Sequence, residues 1–364
     1  MSATTTEARR PGVVVASAPA KVILLGEHGV NRRQPALAAA VGARARCTAR
    51  LLEGSQVRIV SSLAVEEGAT DAVVAFAREV ARMRERDARD ELREVAEHDV
   101  LAPVRYVLGQ LIERFSVGGV EIAIESEIPI GSGFGSGAAV TCALSVAVAR
   151  ACSAELTTHE VAAFGWSGDI VAHGGVASGL DSSACALGGV VSYTLDDGPE
   201  PVPLAAPLRL VASDTGVFAR TAAVNARVQA AVAADESKNR VFERIGGLVG
   251  AAVDAVAAGE LGLLGRLMDD NQALLAEIGV SSPEIETLAA AARGAGALGA
   301  KLSGSGGGGI VIALCAPDTE ARVADAMTAA GGRSTILTAG VGGAAVDEDH
   351  LDDDELEEHV GNRS

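Results

Sequence analysis

The chain has 364 residues, of which 48% are hydrophobic and 21% are charged, so it can bury two domain cores and is not a largely disordered protein. Aromatic residues make up only 2%, so those cores must be built from Ala, Val, Leu and Ile. The 48 acidic and 30 basic residues give a formal net charge of −18, which argues against a nucleic-acid partner.

Lysine is rare, occurring only as Lys21, Lys238 and Lys301. An acidic, lysine-poor surface suits a high-salt cytoplasm, whereas a GC-rich genome that favours Arg codons would produce the same bias. The cysteines form neither a CxxC pair nor a Cys/His cluster, so we expect no zinc site and no disulfide framework. Without an apolar N-terminal segment or an uncharged apolar run of 18 residues, a cytoplasmic protein without a membrane span is expected.

Hydrophobic periodicity predicts helices and strands along the whole chain. In the first half it predicts strands at 13–17 and 22–25, a helical region from 71 to about 115, a strand at 120–124 and an Ala/Val-rich buried helix at 138–152. In the second half it predicts strands at 190–194, 208–213, 310–315 and 335–341, a loop at 199–207, and helices at about 219–258, 260–277, 283–293 and 318–330.

These elements mix without a regular βαβ repeat, which predicts an α+β fold of two lobes. The expected divisions are a disordered N-terminus at 1–10, an N-terminal lobe at 11–205, a C-terminal lobe at 206–346 and an acidic tail at 347–364.

The most informative motif is the run I-P-I-G-S-G-F-G-S-G-A-A at 128–139, between a predicted strand and a predicted helix. Glycines let a backbone approach phosphate closely, and the start of a helix offers unpaired N–H groups. A Walker A loop would need a lysine after the glycines, and a dinucleotide site would need an acidic residue ending the next strand; neither is found. A polyphosphate is therefore the expected ligand, and glycines that only permit tight helix packing are the alternative.

Two further motifs contain lysines. The segment A-P-A-K-V-I-L-L-G-E-H-G-V at 18–30 places Lys21 beside a strand, with Glu27 and His28 just past its end. A lysine retained in a lysine-poor chain suggests a need for a compact cation, although a surface lysine is the simpler alternative. The run K-L-S-G-S-G-G-G-G at 301–309 predicts a loop whose amides approach a ligand or the other lobe, or else a linker.

Taken together, the three motifs resemble the GHMP kinase superfamily (galactokinase, homoserine kinase, mevalonate kinase and phosphomevalonate kinase), and mevalonate kinases best. The resemblance extends from about residue 16 to residue 341. The loop is similar to the family's P-x-x-G-L-G-S-S-A-A, with Phe134 for Leu and Gly137 for the second Ser. Similar stretches are GEH at 26–28, S-G-L-D at 178–181, M-D-D-N-Q-A-L-L at 268–275 and G-V-S at 279–281.

The resemblance implies a ribosomal-S5-like N-terminal lobe that binds ATP and substrate, and a ferredoxin-like C-terminal lobe. It implies ATP-dependent phosphorylation of (R)-mevalonate to (R)-5-phosphomevalonate in the mevalonate route to isoprenoids, with Mg²⁺ as cofactor. Asp181 would be the base and Lys21 the neighbouring cation. Glu27, His28 and Ser178 would bind the substrate, with His28 the candidate for contacting its carboxylate.

The ATP-binding residues that the resemblance implies are Ser126, Gly131, Ser132, Gly133, Phe134, Gly135, Ser136, Gly137 and Ala138. A phosphate-proximal loop would contain Gly304, Ser305, Gly306 and Gly307. Family members are often dimers, so a homodimer is also expected.

The metal site departs from the family pattern. One family ligand, the second loop serine, is Gly137 here, and the expected glutamate falls on Asp169 if one extra residue precedes Asp181. Asp169 and Ser136 are therefore the predicted Mg²⁺ ligands, since Mg²⁺ needs few protein ligands and keeps several waters. The alternatives are a related kinase for phosphomevalonate or a sugar, a noncatalytic sensor of the same fold and, more distantly, a dinucleotide-binding oxidoreductase.

Overall fold

The computed structural model describes residues 12–129, 131, 133–219 and 221–349. The strands are β1 (Val13–Leu25), β2 (Ala36–Leu52), β3 (Gln56–Ser61), β4 (Val65–Ala69), β5 (Gly119–Ser126), β6 (Val190–Thr194), β7 (Gly198–Val202), β8 (Leu208–Asp214), β9 (Gly299–Ser303), β10 (Ile310–Cys315), β11 (Arg333–Ala339) and β12 (Ala345–Asp349). The N-terminus predicted to be disordered, and the acidic tail from residue 350 onward, lie outside the described residues.

The helices connect these strands and cover the sheet. They are α1 (Thr70–Glu85), α2 (Arg89–His98), α3 (Ala102–Phe115), α4 (Ser136–Ala151), α5 (Thr158–Ala172), α6 (Leu180–Leu187), α7 (Thr221–Ala234), α8 (Asn239–Ala258), α9 (Leu261–Glu277), α10 (Pro283–Gly294) and α11 (Glu320–Ala329). Short 3₁₀ helices lie at Val30–Arg32 and Glu236–Lys238. No helix within the described ranges is long and apolar enough to cross a membrane.

Strand β2 organises the sheet. It pairs with β1 along most of its length, with β6 near its start and with β5 over its second half. Ala45, Cys47 and Ala49 are buried and alternate with more exposed residues, as expected for a strand with one face on a core. Its Val41 also pairs with Ala339 of β11, so one sheet continues from the first lobe into the second.

The second lobe has its own recognisable topology. Its strands lie in the order β11-β8-β10-β9, and all neighbours are antiparallel. Helices α7 to α10 connect β8 to β9, and α11 connects β10 to β11, which gives the β-α-β-β-α-β pattern of a ferredoxin-like fold. The predicted two-lobed α+β fold is thereby confirmed. The boundary predicted near residue 205 falls in the connection between β7 and β8.

Several predicted elements differ from those observed. The strands predicted at 13–17 and 22–25 are one strand, because a register shift at Pro19/Ala20 absorbs the proline without ending the pairing with β2. The predicted loop at 199–207 contains part of β7, which pairs with β6. The helical region from 71 to 115 is divided into α1, α2 and α3. The first residues of the predicted tail belong to β12, which pairs with β1 of the first lobe.

Helix α4 places the glycine loop next to β1. Its Ala/Val-rich sequence is buried on most sides, and small side chains such as Ala138 and Ala147 allow close packing against the sheet. Helix α4 contacts both β1 and β2. The backbone N–H of Lys21 in β1 donates a hydrogen bond to the carbonyl of Phe134, two residues before α4, so the N-terminus of the helix lies beside Lys21.

Candidate active site

The predicted phosphate loop is a series of glycine turns that ends at α4. Gly131, Gly133 and Gly135 have φ angles of 71°, 90° and 73°, which glycine adopts without the strain of a side chain. No side chain of the described residues caps α4 at Ser136, so its first N–H groups are available to an anion. Ser132, predicted to contact ATP, lies outside the described residues.

Lys21 passes directly beneath this loop. A Cβ atom on Gly135 would lie 2.9 Å from Lys21 Cε, so the glycine is needed for this close approach. Lys21 Nζ donates a hydrogen bond of 2.9 Å to the carbonyl of Gly133, and the Lys21 backbone N–H donates to the carbonyl of Phe134. The side chains of Phe134 and Ala138 are buried in the core. ATP could therefore contact these two residues only through their backbone atoms.

Asp181 lies opposite this lysine. It is in the first turn of α6, which begins after Gly179 at a φ of 91°. Its carboxylate lies 3.1 Å from Lys21 Nζ, and its side chain is 31% exposed while that of Lys21 is 3% exposed. The two predicted catalytic residues therefore form an ion pair in which the carboxylate remains open to the cleft.

Asp169 of α5 is buried near this pair. Burial raises the pKa of its carboxyl to about 7; Asp181 adds to the increase, while His173 and Lys21 oppose it. None of the hydrogen bonds among the described residues is donated to this carboxyl. A Cβ on Gly137 would lie 3.5 Å from Asp169 Oδ1, so the expected second oxygen ligand is missing at the point that Asp169 faces.

These residues fit a sparsely coordinated Mg²⁺. A buried carboxyl that accepts no hydrogen bond from the described residues would regain its charge beside a cation, and Ser136 lies at the start of the same helix as Gly137. No group of three or more His, Cys, Asp or Glu side chains within the described ranges could hold a metal, so most of the ligands would be water or phosphate oxygens.

The turn after β1 holds the predicted substrate contacts Glu27 and His28. Glu27 is buried and forms an ion pair with Lys301 of β9, while its second oxygen accepts a hydrogen bond of 3.1 Å from Asn271 of α9. The sequence patterns do not predict this pairing, although Lys301 is one of only three lysines in the chain.

His28 contacts the second glycine loop. Its Nε2 lies 2.8 Å from the carbonyl of Ser305, and since a carbonyl only accepts, Nε2 carries the proton. Burial lowers the pKa of His28, and Arg32 contributes to the decrease against the effect of the Ser305 carbonyl. In the neutral ring Nδ1 is an acceptor, so His28 in this geometry cannot donate a hydrogen bond to a carboxylate.

The second glycine loop faces the first. A Cβ atom on Gly304 would lie 3.8 Å from Gly133 Cα, and Gly304, Ser305 and Gly306 line the same cleft. The N–H of Gly307 donates instead to the carbonyl of Val280, so this predicted contact is turned away from the cleft.

The cleft between the loops has a volume of about 540 Å³ and contains Lys21, Asp169 and Asp181. Ser126 and Ser178 also line it, although the hydroxyl of each accepts a backbone N–H, from Ile128 and Leu180 respectively. One part of the cleft is apolar and was not found from the sequence, because its residues come from separate elements without a common motif. It is lined by Leu63, Val100, Leu101, Pro103, Val104 and Ile124.

Comparison with known proteins identifies related families for both lobes. The family described as GHMP kinases N terminal domain matches residues 102–189, and that described as GHMP kinases C terminal matches residues 252–333. A protein named mevalonate kinase from Thermococcus gammatolerans is 35% identical over 353 residues, covering 92% of this chain and 98% of the relative. One from Pyrococcus furiosus is 34% identical with the same coverage.

A solved structure extends the similarity to the fold. The crystal structure of L. major mevalonate kinase in complex with R-mevalonate has a TM-score of 0.70 and 26% sequence identity, covering 90% of this chain and 96% of that one. At this coverage the similarity extends over both lobes. The chain therefore belongs to the GHMP kinase family.

Proposed function

We propose that the protein transfers the γ-phosphoryl group of ATP to the primary hydroxyl of (R)-mevalonate and forms (R)-5-phosphomevalonate. The observation that carries the proposal is the Lys21–Asp181 pair, which lies in the cleft beneath the glycine loop that ends at α4. The choice of mevalonate as substrate is supported by sequence identities of 35% and 34% to proteins named mevalonate kinase, over 98% of their length. The solved L. major relative binds R-mevalonate in a similar fold.

Each part of the site has a role in this reaction. The N-terminus of α4 and the turns at Gly133 and Gly135 would hold the ATP phosphates. Asp181 would orient the substrate hydroxyl and accept its proton, and Lys21 would stabilise negative charge on the reacting oxygens. Phosphoryl transfer depends mainly on positioning and electrostatic stabilisation, so this small set of groups is chemically sufficient.

Asp169 and Ser136 are the residues proposed to hold Mg²⁺. When bound, the ion would neutralise phosphate charge. The raised pKa of Asp169 implies that this carboxyl must lose a proton to become a ligand. A cytoplasmic location, where ATP is available, and assembly as a homodimer complete the proposal.

The decisive experiment measures ADP release from Mg-ATP by the purified protein with mevalonate, phosphomevalonate, galactose or homoserine, in low and molar KCl. We expect turnover with mevalonate alone, and a need for molar salt would favour the high-salt explanation of the acidic surface. Turnover with another alcohol would leave the proposed mechanism in place and change the assigned substrate to that alcohol. Absence of turnover with all four, in folded protein that binds ATP, would contradict the proposal and favour a sensor.

A further inference from the structure

The segment that leads into Asp181 has no regular secondary structure. Residues 176–179 form the last part of the connection from α5 to α6 and line the cleft. The backbone of this segment therefore sets where the Asp181 carboxylate lies relative to Lys21. A catalytic group on such a segment must be held by contacts from its surroundings, because misplacement by about 1 Å can cost on the order of 100-fold in rate.

Two aromatic side chains hold consecutive carbonyl groups of this segment. Trp166 Nε1 on α5 donates a hydrogen bond of 2.9 Å to the carbonyl of Ala177. The Tyr193 hydroxyl on β6 donates to the carbonyl of Ser178. The chain contains one tryptophan and two tyrosines, so two of these three side chains donate to adjacent peptide groups, from two different elements.

Both rings also lie at the turn into α6. A Cβ on Gly179 would be 2.8 Å from the Tyr193 hydroxyl oxygen and 3.6 Å from Trp166 Cδ1, so the rings occupy the space that a side chain would need. Tyr193 packs in a buried cluster with Leu180, the neighbour of Asp181, and with Ile23, two residues from Lys21. Trp166 is 40% exposed, so burial of its ring does not by itself account for its position.

We propose that Trp166 and Tyr193 are positioning residues, which hold the carbonyls of Ala177 and Ser178 and thereby keep Asp181 in place beside Lys21. The inference rests on the proposed function, because the reaction supplies its main measurement. The glycine loop is held by separate contacts with Lys21 of β1, so we expect ATP binding to change little when these two side chains are altered.

The test removes each hydrogen bond while keeping an aromatic ring at each position. In Tyr193→Phe and Trp166→Phe we expect kcat with mevalonate to fall about tenfold, with the KM for ATP changed less than about twofold. Tyr106→Phe is the matched control, since Tyr106 is the other tyrosine, is also buried, and accepts a hydrogen bond of 2.8 Å from Arg84 away from the cleft. This control should retain wild-type kcat.

A spectroscopic measurement separates positioning from general loss of stability. Trp166 is the sole tryptophan, so tryptophan fluorescence reports on the surroundings of its ring, which include the carbonyl of Ala177. Acrylamide should quench it more strongly in Tyr193→Phe than in the wild type, and equally in Tyr106→Phe and the wild type, at a temperature well below every melting transition.

The outcomes distinguish the two proposals. If the wild type turns over mevalonate and Tyr193→Phe matches Tyr106→Phe in both kcat and quenching, the positioning role is overturned while the kinase stands. If the wild type does not turn over any of the alcohols, the proposed function fails. Greater quenching in Tyr193→Phe would then still support the hold of Tyr193 on the segment.

Discussion

Two lysine–carboxylate pairs lie near the C-terminal end of β1, and they differ in their access to solvent. Lys21 and Asp181 are 3.1 Å apart, and the Asp181 side chain opens into the cleft. Lys301 and Glu27 are both wholly buried. The Lys301 ammonium also donates to the carbonyls of Ile23 and Leu302, and Asn271 donates to the second oxygen of Glu27.

The difference explains why one pair is suited to chemistry and the other to structure. The carboxylate of Asp181 can receive a proton from a substrate hydroxyl, because part of it faces the cleft. The oxygens of Glu27 are each already paired, so this residue connects β1 to α9 and β9. Burial lowers the pKa of Lys301, and the adjacent Glu27 carboxylate opposes that decrease.

The largest expected effect is on the exposed pair. Asp181→Asn should lower turnover by about 1,000-fold or more, since the amide cannot accept the hydroxyl proton. ATP affinity, measured by calorimetry, should change less than about twofold because the carboxylate is proposed to act on the substrate hydroxyl and not on the nucleotide. Asp196→Asn, which alters an exposed ion pair with Arg33, is the control and should retain full activity. Turnover of Asp181→Asn within a few-fold of wild type would remove Asp181 from the mechanism.

The buried pair should instead control stability. Lys301→Met leaves the Glu27 carboxylate buried without its cation, so the free energy of unfolding should fall by about 3–5 kcal/mol. Adding Glu27→Gln to that variant should recover a large part of the loss, as measured by denaturant unfolding. In Lys21→Met the partner Asp181 can still reach water, so a smaller loss is expected. Equal losses in the two lysine variants would show that the pairs do not differ as described.

A pH effect is expected beside the buried pair, at His28. Since the folded state lowers the pKa of His28 from 6.5, the unfolded chain binds this proton more readily and stability falls as pH drops below 6.5. The slope from one group is at most about 1.4 kcal/mol per pH unit. His28→Gln should flatten the stability profile between pH 6.5 and 5.5, whereas the exposed His159→Gln should not. Parallel profiles for all three proteins would contradict this account.

The smallest effect is expected beside the exposed pair. Gly137→Ser should lower the Mg²⁺ concentration for half-maximal activity by a few-fold, because a hydroxyl there would add an oxygen near Asp169. The added Cβ would be 3.5 Å from Asp169 Oδ1, an ordinary contact, so the variant should fold normally. Gly137→Ala adds the same carbon without the hydroxyl and serves as control. Identical metal titrations for both variants would exclude a hydroxyl ligand at this position.

Features with a local physical cause could be predicted from the sequence. The Ala/Val run of α4 and the glycine turns at 131–135 and 304–309 depend on backbone preferences and periodicity over a few residues. Lys21 was identified because lysine is rare in this chain. The family motifs then selected Asp181, which the structure places beside it.

Features that depend on distant partners could not be predicted from periodicity. The 17 residues of β2 include a run of alanines that favours no single element, and only pairing with β1, β5 and β6 makes them a strand. The apolar part of the cleft likewise combines residues from several elements.

The sequence by itself therefore determined the two-lobed fold class, the glycine loops and the importance of Lys21. Only the tertiary structure decided that Glu27 is held by Lys301, 274 residues along the chain, and that Trp166 and Tyr193 hold the segment before Asp181. The physical reason is that the backbone conformation of a short segment depends mainly on its own and neighbouring residues, whereas the partner of a buried charge or carbonyl depends on how the whole chain packs.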